Sequence, residues 1–403
     1  MSKHAFKYRL YPNKEQERTL FWTLTRCREL YNAAMSERRD SYKYTGKGVT
    51  YYQQKRDLPV IKAEIRQEYN DIHSQVLQDV LTRLDKAFQN FFRRVANGEK
   101  PGYPRFQGRN RYNSFTYTQG GYTLHEKHVT FSKIGRLRCK FHRKLEGVIK
   151  TATIKYEAGQ WYVVFSCEVE IFTKLPYTDD AIGIDLGLLH FATLSTGDTI
   201  ENPRHLRKAQ ADLARKSRHL ARCKRGSHRR EKARKQVAKA HRKIRNQRRD
   251  FLHKQSRQLV NTYETIVFED LQIANLSKAP EPKQDEATGA YLPNGASAKA
   301  GLNKSILDAG WGTFMMYCAY KAAWAGCTVV KVDPYKTSQI CSHCGHEGPH
   351  KDLSQRTHIC EACGIVLDRD HNAALNILSA WKRPTARPRP RAKREQAVEA
   401  PRF

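Results

Sequence analysis

A chain of 403 residues carries 73 Lys and Arg against 40 Asp and Glu, a formal net charge of +33. Such a protein repels itself unless a polyanion neutralises it, so nucleic acid is the expected partner. No apolar run approaches the roughly 20 residues that cross a bilayer, and the N-terminus has no apolar signal core, which speaks against a membrane-spanning or secreted protein.

Residues 5–11 alternate as a strand does, and Pro12-Asn13 then opens a helix with Asn13 as N-cap and Gln16 at the capping-box position. Leu20, Leu24, Cys27, Tyr31 and Ala34 recur at helical spacing to about Arg39. After the Gly46-Lys47-Gly48 break two more helical stretches follow, the second with Val76, Val80, Leu84, Phe88 and Phe92 on one face, ending near Gly98. Segments 114–118, 122–124, 129–131, 151–156 and 161–169 have period two and predict an antiparallel barrel or sandwich. The N-terminal strand lacks a local partner and is expected to join this sheet, which makes the helical module an insertion. The β module ends near Phe172, and 173–178 reads as a linker.

Strands at 180–186, 191–194 and from Thr199 predict an antiparallel meander. Residues 201–260 then hold twenty-two Lys and Arg against four acids. Leu206, Leu213 and Leu220 suit one helix, and Ala233, Val237, Ala240, Ile244, Phe251 and Leu259 a second, giving a helical hairpin with basic outer faces. A solvated face explains many charge runs, but this excess favours phosphate, with Arg229, Arg230, Lys235 and Arg242 as candidate contacts. An apolar strand at 265–268 delivers Glu269 to its exit, 279–303 reads as a mobile loop, 307–324 as a helix stopped by Gly326, and 328–332 as a strand.

Cys341-x2-Cys344 and Cys360-x2-Cys363 stand fifteen residues apart, the spacing of a zinc ribbon. His343, His346 or His358 could replace a thiolate, and a folding staple without substrate contact is the plain alternative. Cys27, Cys139, Cys167, Cys223, Cys318 and Cys327 show no pairing pattern and are expected to be reduced. Three acids sit at ends of core elements. Asp185 lies in Ile182-Gly183-Ile184-Asp185-Leu186-Gly187, whose glycines permit close approach of another backbone; Asp370 opens the helix of Ala373, Ala374, Leu375, Ile377 and Leu378. Taken singly, a turn residue or an N-cap explains each acid. Together, on one rim, Asp185, Glu269 and Asp370 offer the oxygen ligands that Mg2+ demands, and two ions roughly 3.5–4 Å apart serve phosphodiester hydrolysis.

The order Ile-Asp-Leu-Gly, Phe-Glu-Asp-Leu, four-cysteine ribbon, Asp-Arg-Asp-His-Asn-Ala-Ala-Leu-Asn-Ile resembles the RuvC-type nuclease of the TnpB family, transposon-encoded RNA-guided endonucleases related to type V CRISPR effectors. Tyr8-Arg9-Leu10-Tyr11-Pro12 and Gly102-Tyr103-Pro104-Arg105-Phe106 resemble the same family's wedge module, so the likeness spans most of residues 1–380. It implies a multidomain α+β and α/β chain: a β-barrel wedge (1–12 and 99–178) with an inserted helical recognition module (13–98), an RNase H-like RuvC domain (179–335 and 366–381), an inserted zinc ribbon (336–365) and a disordered basic tail (382–403). Asp185, Glu269 and Asp370 would hold two catalytic Mg2+ ions, Cys341, Cys344, Cys360 and Cys363 a structural Zn2+, and Asp368 would be structural. The implied partners of a monomer in the prokaryotic cytosol, or on the nucleoid, are a guide RNA and double-stranded DNA bearing a short flanking motif. Tyr52, Gln78 and Thr116 are candidate readers of that motif, and Tyr117 and Tyr122 candidate base-stackers, with Phe88, Phe91 and Phe92 taken as core. A non-cutting RNA-guided regulator, a DNA-joining transposase and a zinc-ribbon RNA-binding protein are the rival readings.

Overall fold

The computed structural model describes residues 2–109, 111–170, 179–349 and 354–382, in two compact units divided after Glu170. The expected linker at 173–178 and the tail beyond Lys382 lie outside the described residues.

In the first unit β1 (Ser2–Tyr11) leads into α1 (Lys14–Thr45). Asn13 accepts from the backbone of Gln16 while the Gln16 side chain accepts from Asn13, so both orphan N–H groups at the helix start are satisfied. The helix runs past Arg39 to Gly46, whose φ of 67° ends it in the left-handed conformation. α2 (Tyr51–Val60) widens into a π-helical turn at Ile61–Ile65 and then tightens into a 3-10 turn at Gln67–Asp71 before α3 (Ser74–Ala96). Val76, Val80, Leu84 and Phe88 of α3 are buried, whereas Phe92, one turn on, is 61% exposed. There follow β2 (Ser114–Tyr117), β3 (Tyr122–Leu124), β4 (His128–Phe131), β5 (Gly135–Lys140), β6 (Val148–Glu157) and β7 (Gln160–Val169).

Their antiparallel ladders run β2-β6-β7-β1-β5-β4-β3, so the N-terminal strand does join the sheet, at its centre. The sheet curls: Tyr117 of β2 touches Phe131 of β4, and Tyr122 of β3 touches Phe165 of β7. One continuous core joins these rings to Leu20, Leu24, Leu77 and Leu84 of the helices. Arg83 ties α3 to β2, donating to Asp79, to the Ser114 carbonyl and to the Thr116 hydroxyl.

The second unit is built on β8 (Asp179–Asp185), β9 (His190–Leu194), β10 (Thr199–Glu201), β11 (Tyr263–Glu269) and β14 (Thr328–Val332). Strand order is β10-β9-β8-β11-β14, antiparallel through the first three and parallel from β8 to β14. Between β10 and β11 comes the expected hairpin, α4 (His205–Arg222) and α5 (His228–Thr262). Segment 279–303 is not structureless: after the single turn α6 (Ile273–Leu276) it forms the small ladder β12 (Lys283–Gln284) with β13 (Tyr291–Leu292) and enters α7 (Ala296–Ala309). The helix expected at 307–324 is accordingly two, α7 and α8 (Trp311–Ala325), broken at Gly310, whose φ of 76° stops α7.

β15 (Thr357–Ile359) and β16 (Val366–Asp368) pair as the ribbon hairpin, and α9 (Arg369–Lys382) closes the described fold. Ile182, Ile184, Ile266 and Phe268 face a core shared with Leu252 and Leu259 of α5 and Phe314 and Cys318 of α8. Side chains alternate along a strand, so Gly183 faces the other way, where α9 packs. A Cβ at Gly183 would lie 2.2 Å from the Ala374 carbonyl oxygen, so β8 accepts the α9 backbone only because no side chain stands there.

Candidate active site and metal centre

β8 and β11 pair in parallel through Ile184 and Phe268, and Asp185 and Glu269 are the next residues on each. The two carboxylates therefore leave the same edge of the sheet side by side. α9 lies against both strands, and its first turn carries Asp370. Asp370 Oδ2 is 4.0 Å from the Cβ position of Gly187, two residues beyond Asp185.

Capping does not explain Asp370. The Asp368 carboxylate accepts from the backbone N–H groups of Asp370 at 2.8 Å and His371 at 3.0 Å, so Asp368 is the cap and Asp370 is released toward the rim. The electrostatics agree: burial, then the charges of Glu269 and Asp370, push Asp185 up to about 8. Burial raises Glu269, with the Thr337 hydroxyl pulling it back. Burial and Asp368 raise Asp370, opposed by Arg356, Arg369 and His190. Arg356 lies 3.9 Å from Asp370 and forms an ion pair with it. Three half-buried carboxylates that repel one another make an all-oxygen donor set suited to a hard divalent cation.

The four cysteines gather far more tightly, with all their sulfurs within 4.8 Å of one another. Among the described residues no group of three carboxylates is so close, so Asp185, Glu269 and Asp370 share one edge without being drawn into a cluster of that size. Each Cys-x2-Cys forms the same turn: Gly345 N–H donates to Cys341 O and Cys341 N–H to His346 O, as Gly364 donates to Cys360 O and Cys360 to Ile365 O. Gly345 and Gly364 have φ of 77° and 71°, which L side chains rarely adopt. Across the knuckles Cys341 and Cys363 sulfurs are 3.8 Å apart and Cys344 and Cys360 3.5 Å, near the edge of about 3.8 Å for a tetrahedron with Zn–S of about 2.3 Å. Without metal the N–H groups of Cys363 and Ala362 help push the Cys360 thiol down to about 6, while Cys344 and Cys363, hydrogen-bonded to it through their thiols, are pushed up. The remaining six cysteines form no disulfide among the described residues, and all but Cys223 are buried.

Signals that sequence reasoning missed tie the ribbon to α9. Asn372 is fully buried; its amide donates to the Ile340 carbonyl at 2.8 Å and accepts from Ser342 N–H at 2.9 Å. Asn376 donates to the carbonyls of Thr337 and Ile340. The Asn-Ala-Ala-Leu-Asn run placed both amides on one face, but their partners are not visible without the fold.

Of the candidate nucleic-acid contacts, Tyr52 is 79% exposed and Gln78 half-buried. Thr116 is buried, with its hydroxyl shared between Arg83 and Thr153, so it has no group free for a base edge. Tyr117 is likewise buried, donating to the Ser132 carbonyl, and Tyr122 packs on Phe131 and Phe165. Arg229 and Lys235 are exposed on the hairpin and Arg242 is half-buried. Arg230 instead turns inward, donating to the carbonyls of Leu220 and Cys223 and finishing α4.

Residues 164–279 match the family OrfB_IS605, described as "Probable transposase", and residues 311–377 match "Cas12f1-like, TNB domain". Residues 1–47 match "Helix-turn-helix domain", although here they hold β1 and the single helix α1. A protein of Escherichia coli (strain K12) named "Putative RNA-guided DNA endonuclease InsQ" is 35% identical over 380 residues, 93% of this chain and 92% of that protein. A Streptomyces pristinaespiralis protein named "Putative RNA-guided DNA endonuclease" is 36% identical over 385 residues, 94% and 89% of the two chains. A solved Cas12f1 in complex with guide RNA and target DNA shares the fold with a TM-score of 0.53 at 13% identity, over 93% of this chain and 98% of that one.

Proposed function

The chain belongs to the TnpB family, and from that premise we propose that it is an RNA-guided DNA endonuclease whose phosphodiester chemistry is carried by Asp185, Glu269 and Asp370. The observation that supports the assignment is the convergence of these acids on one sheet edge while Asp368 does the capping. The strand order β10-β9-β8-β11-β14, two antiparallel and then two parallel joins, supports an RNase H-like reading of the second unit.

Each element has a defined task. β8 and β11 hold Asp185 and Glu269 in register, so the spacing between these carboxylates is fixed by a hydrogen-bonded ladder rather than by loops. α9 presents Asp370 at a helix N-terminus, whose positive dipole end favours the ionised carboxylate. Bound at these acids, two Mg2+ ions would stabilise the charge that builds on a scissile phosphate. The exposed basic faces of α4 and α5 would grip the phosphates that the acids alone repel. Cys341, Cys344, Cys360 and Cys363 would hold Zn2+ and so keep the ribbon folded beside α9. Base pairing with a guide would read most of the target, leaving the protein to read a flanking motif.

Protein purified with its co-expressed RNA is expected to cut a plasmid carrying a matching target and flanking motif in Mg2+ and not in EDTA. Asp185→Ala should abolish cutting and leave target binding intact. Cutting that survives Asp185→Ala would remove this active site. The description "Probable transposase" keeps a DNA-joining reading in view, and joined rather than cut products would favour it.

A further inference from the structure

Thr337 has no motif around it, yet it is 8% exposed and its hydroxyl donates to Glu269 Oε1, sixty-eight residues away in sequence. A threonine in a turn ordinarily bonds its own neighbouring backbone. Here the turn aims it elsewhere. Lys336, immediately before, has a φ of 54°, a left-handed conformation rare for a residue with a side chain, and its carbonyl accepts from both Gln339 and Ile340. α9 then fixes the segment from the other side: Asn376 holds the Thr337 carbonyl at 2.8 Å and the Ile340 carbonyl at 2.7 Å, and Asn372 holds Ile340 and Ser342. Cys341, the first ribbon cysteine, lies within this stapled stretch.

We infer that Thr337 is a positioning residue for Glu269, fixing through its hydroxyl which carboxylate oxygen is turned toward a divalent cation. The inference rests on the acid-site reading above and adds a residue to it. A carboxylate oxygen that accepts from Thr337 is oriented before any ion arrives, leaving the second oxygen to serve as ligand. Without the hydroxyl the carboxylate would rotate, and the ion would have to order it at its own expense. Such partners of metal-ligating groups typically change metal affinity or activity on the order of 10- to 100-fold when removed.

The test compares Thr337→Val, which keeps the branched shape and loses the donor, with Thr337→Ser, which keeps the donor. Both are purified as the complex with guide RNA. Mn2+ affinity is read by paramagnetic resonance of the free ion, alongside zinc content, target-DNA affinity and single-turnover cleavage. Thr337→Val should bind Mn2+ and cleave roughly 10- to 100-fold less well, with zinc content and target affinity unchanged. Thr337→Ser should stay close to the parent. A valine variant with parental Mn2+ affinity and cleavage overturns the inference. So does a serine variant as impaired as valine, or loss of zinc or target binding in the valine variant, because packing would then be the cause. The parent and Asp185→Ala binding Mn2+ alike would sink the acid-site reading itself, and the role of Thr337 with it; Asp185→Ala losing Mn2+ while Thr337→Val keeps it sinks only the positioning role.

Discussion

Burial holds the carboxyls of Asp185, Glu269 and Asp370 above their ordinary range, with the charges of Glu269 and Asp370 adding at Asp185 and that of Asp368 at Asp370, so without metal these three groups bind more protons folded than unfolded. Stability from such groups is fully present below the unfolded value and is lost as pH rises through the folded one. For Asp185 that window runs from 3.8 to about 8. Half-buried His73 and His205, whose values are lowered, act with the opposite sign at the acidic end, and comparison with a variant cancels them. EDTA-treated parent should therefore lose melting temperature relative to Asp185→Asn between about pH 5 and pH 8. Parallel curves for the two proteins would deny the raised carboxyl. The acids themselves were legible in the sequence because each ends a patterned element. Their helper Thr337 was not, since a hydroxyl in a polar turn looks the same whether it faces water or a carboxylate.

Elements with one clean period were readable, and those whose pattern is interrupted were not. β1 alternates over ten residues and lands at the sheet centre. β5 is the exception: Leu137 and Cys139 alternate cleanly with Arg136, Arg138 and Lys140, but two apolar residues in six are too few to mark a strand. α7 was hidden by an Ala, Gly and Lys composition that lacks an apolar stripe, with Ile306 and Ala309 its buried residues. The glycine of Ile-Gly-Ile-Asp was legible as a point of close approach, and the fold supplies the partner, α9. Gly183→Ala must push the α9 backbone off β8, at a cost of about 2 kcal/mol or more, and Asp370 moves with it. Thermal denaturation and cleavage should both show the loss; a variant with parental melting and cutting would mean the helix yields freely. The basic hairpin divides similarly. Arg230→Ala should lower stability by removing two bonds to the end of α4, measured by denaturant titration. Arg229→Ala with Lys235→Ala should leave stability alone and reduce the salt slope of RNA binding by roughly 1 to 2. An unchanged slope would place these two residues on a purely solvated face.

Over the whole chain, +33 is a statement about company rather than fold. Protein stripped of RNA should precipitate or bind nucleic acid indiscriminately at low ionic strength, and light scattering before and after nuclease treatment measures it. Stable, monodisperse RNA-free protein would argue against a permanent polyanion partner. The ribbon adds a different vulnerability. Its four thiols stand 3.5 and 3.8 Å from their cross-knuckle neighbours, Cys344 and Cys363 are exposed, and the neighbouring N–H groups favour thiolate at Cys360. Without zinc to occupy them, an oxidant such as peroxide can convert those neighbours to disulfides, and a cross-linked ribbon no longer accepts the ion. Whether a freshly made copy ever becomes competent then depends on a race between metallation and oxidation, decided by the redox state of its surroundings before any nucleic acid is met.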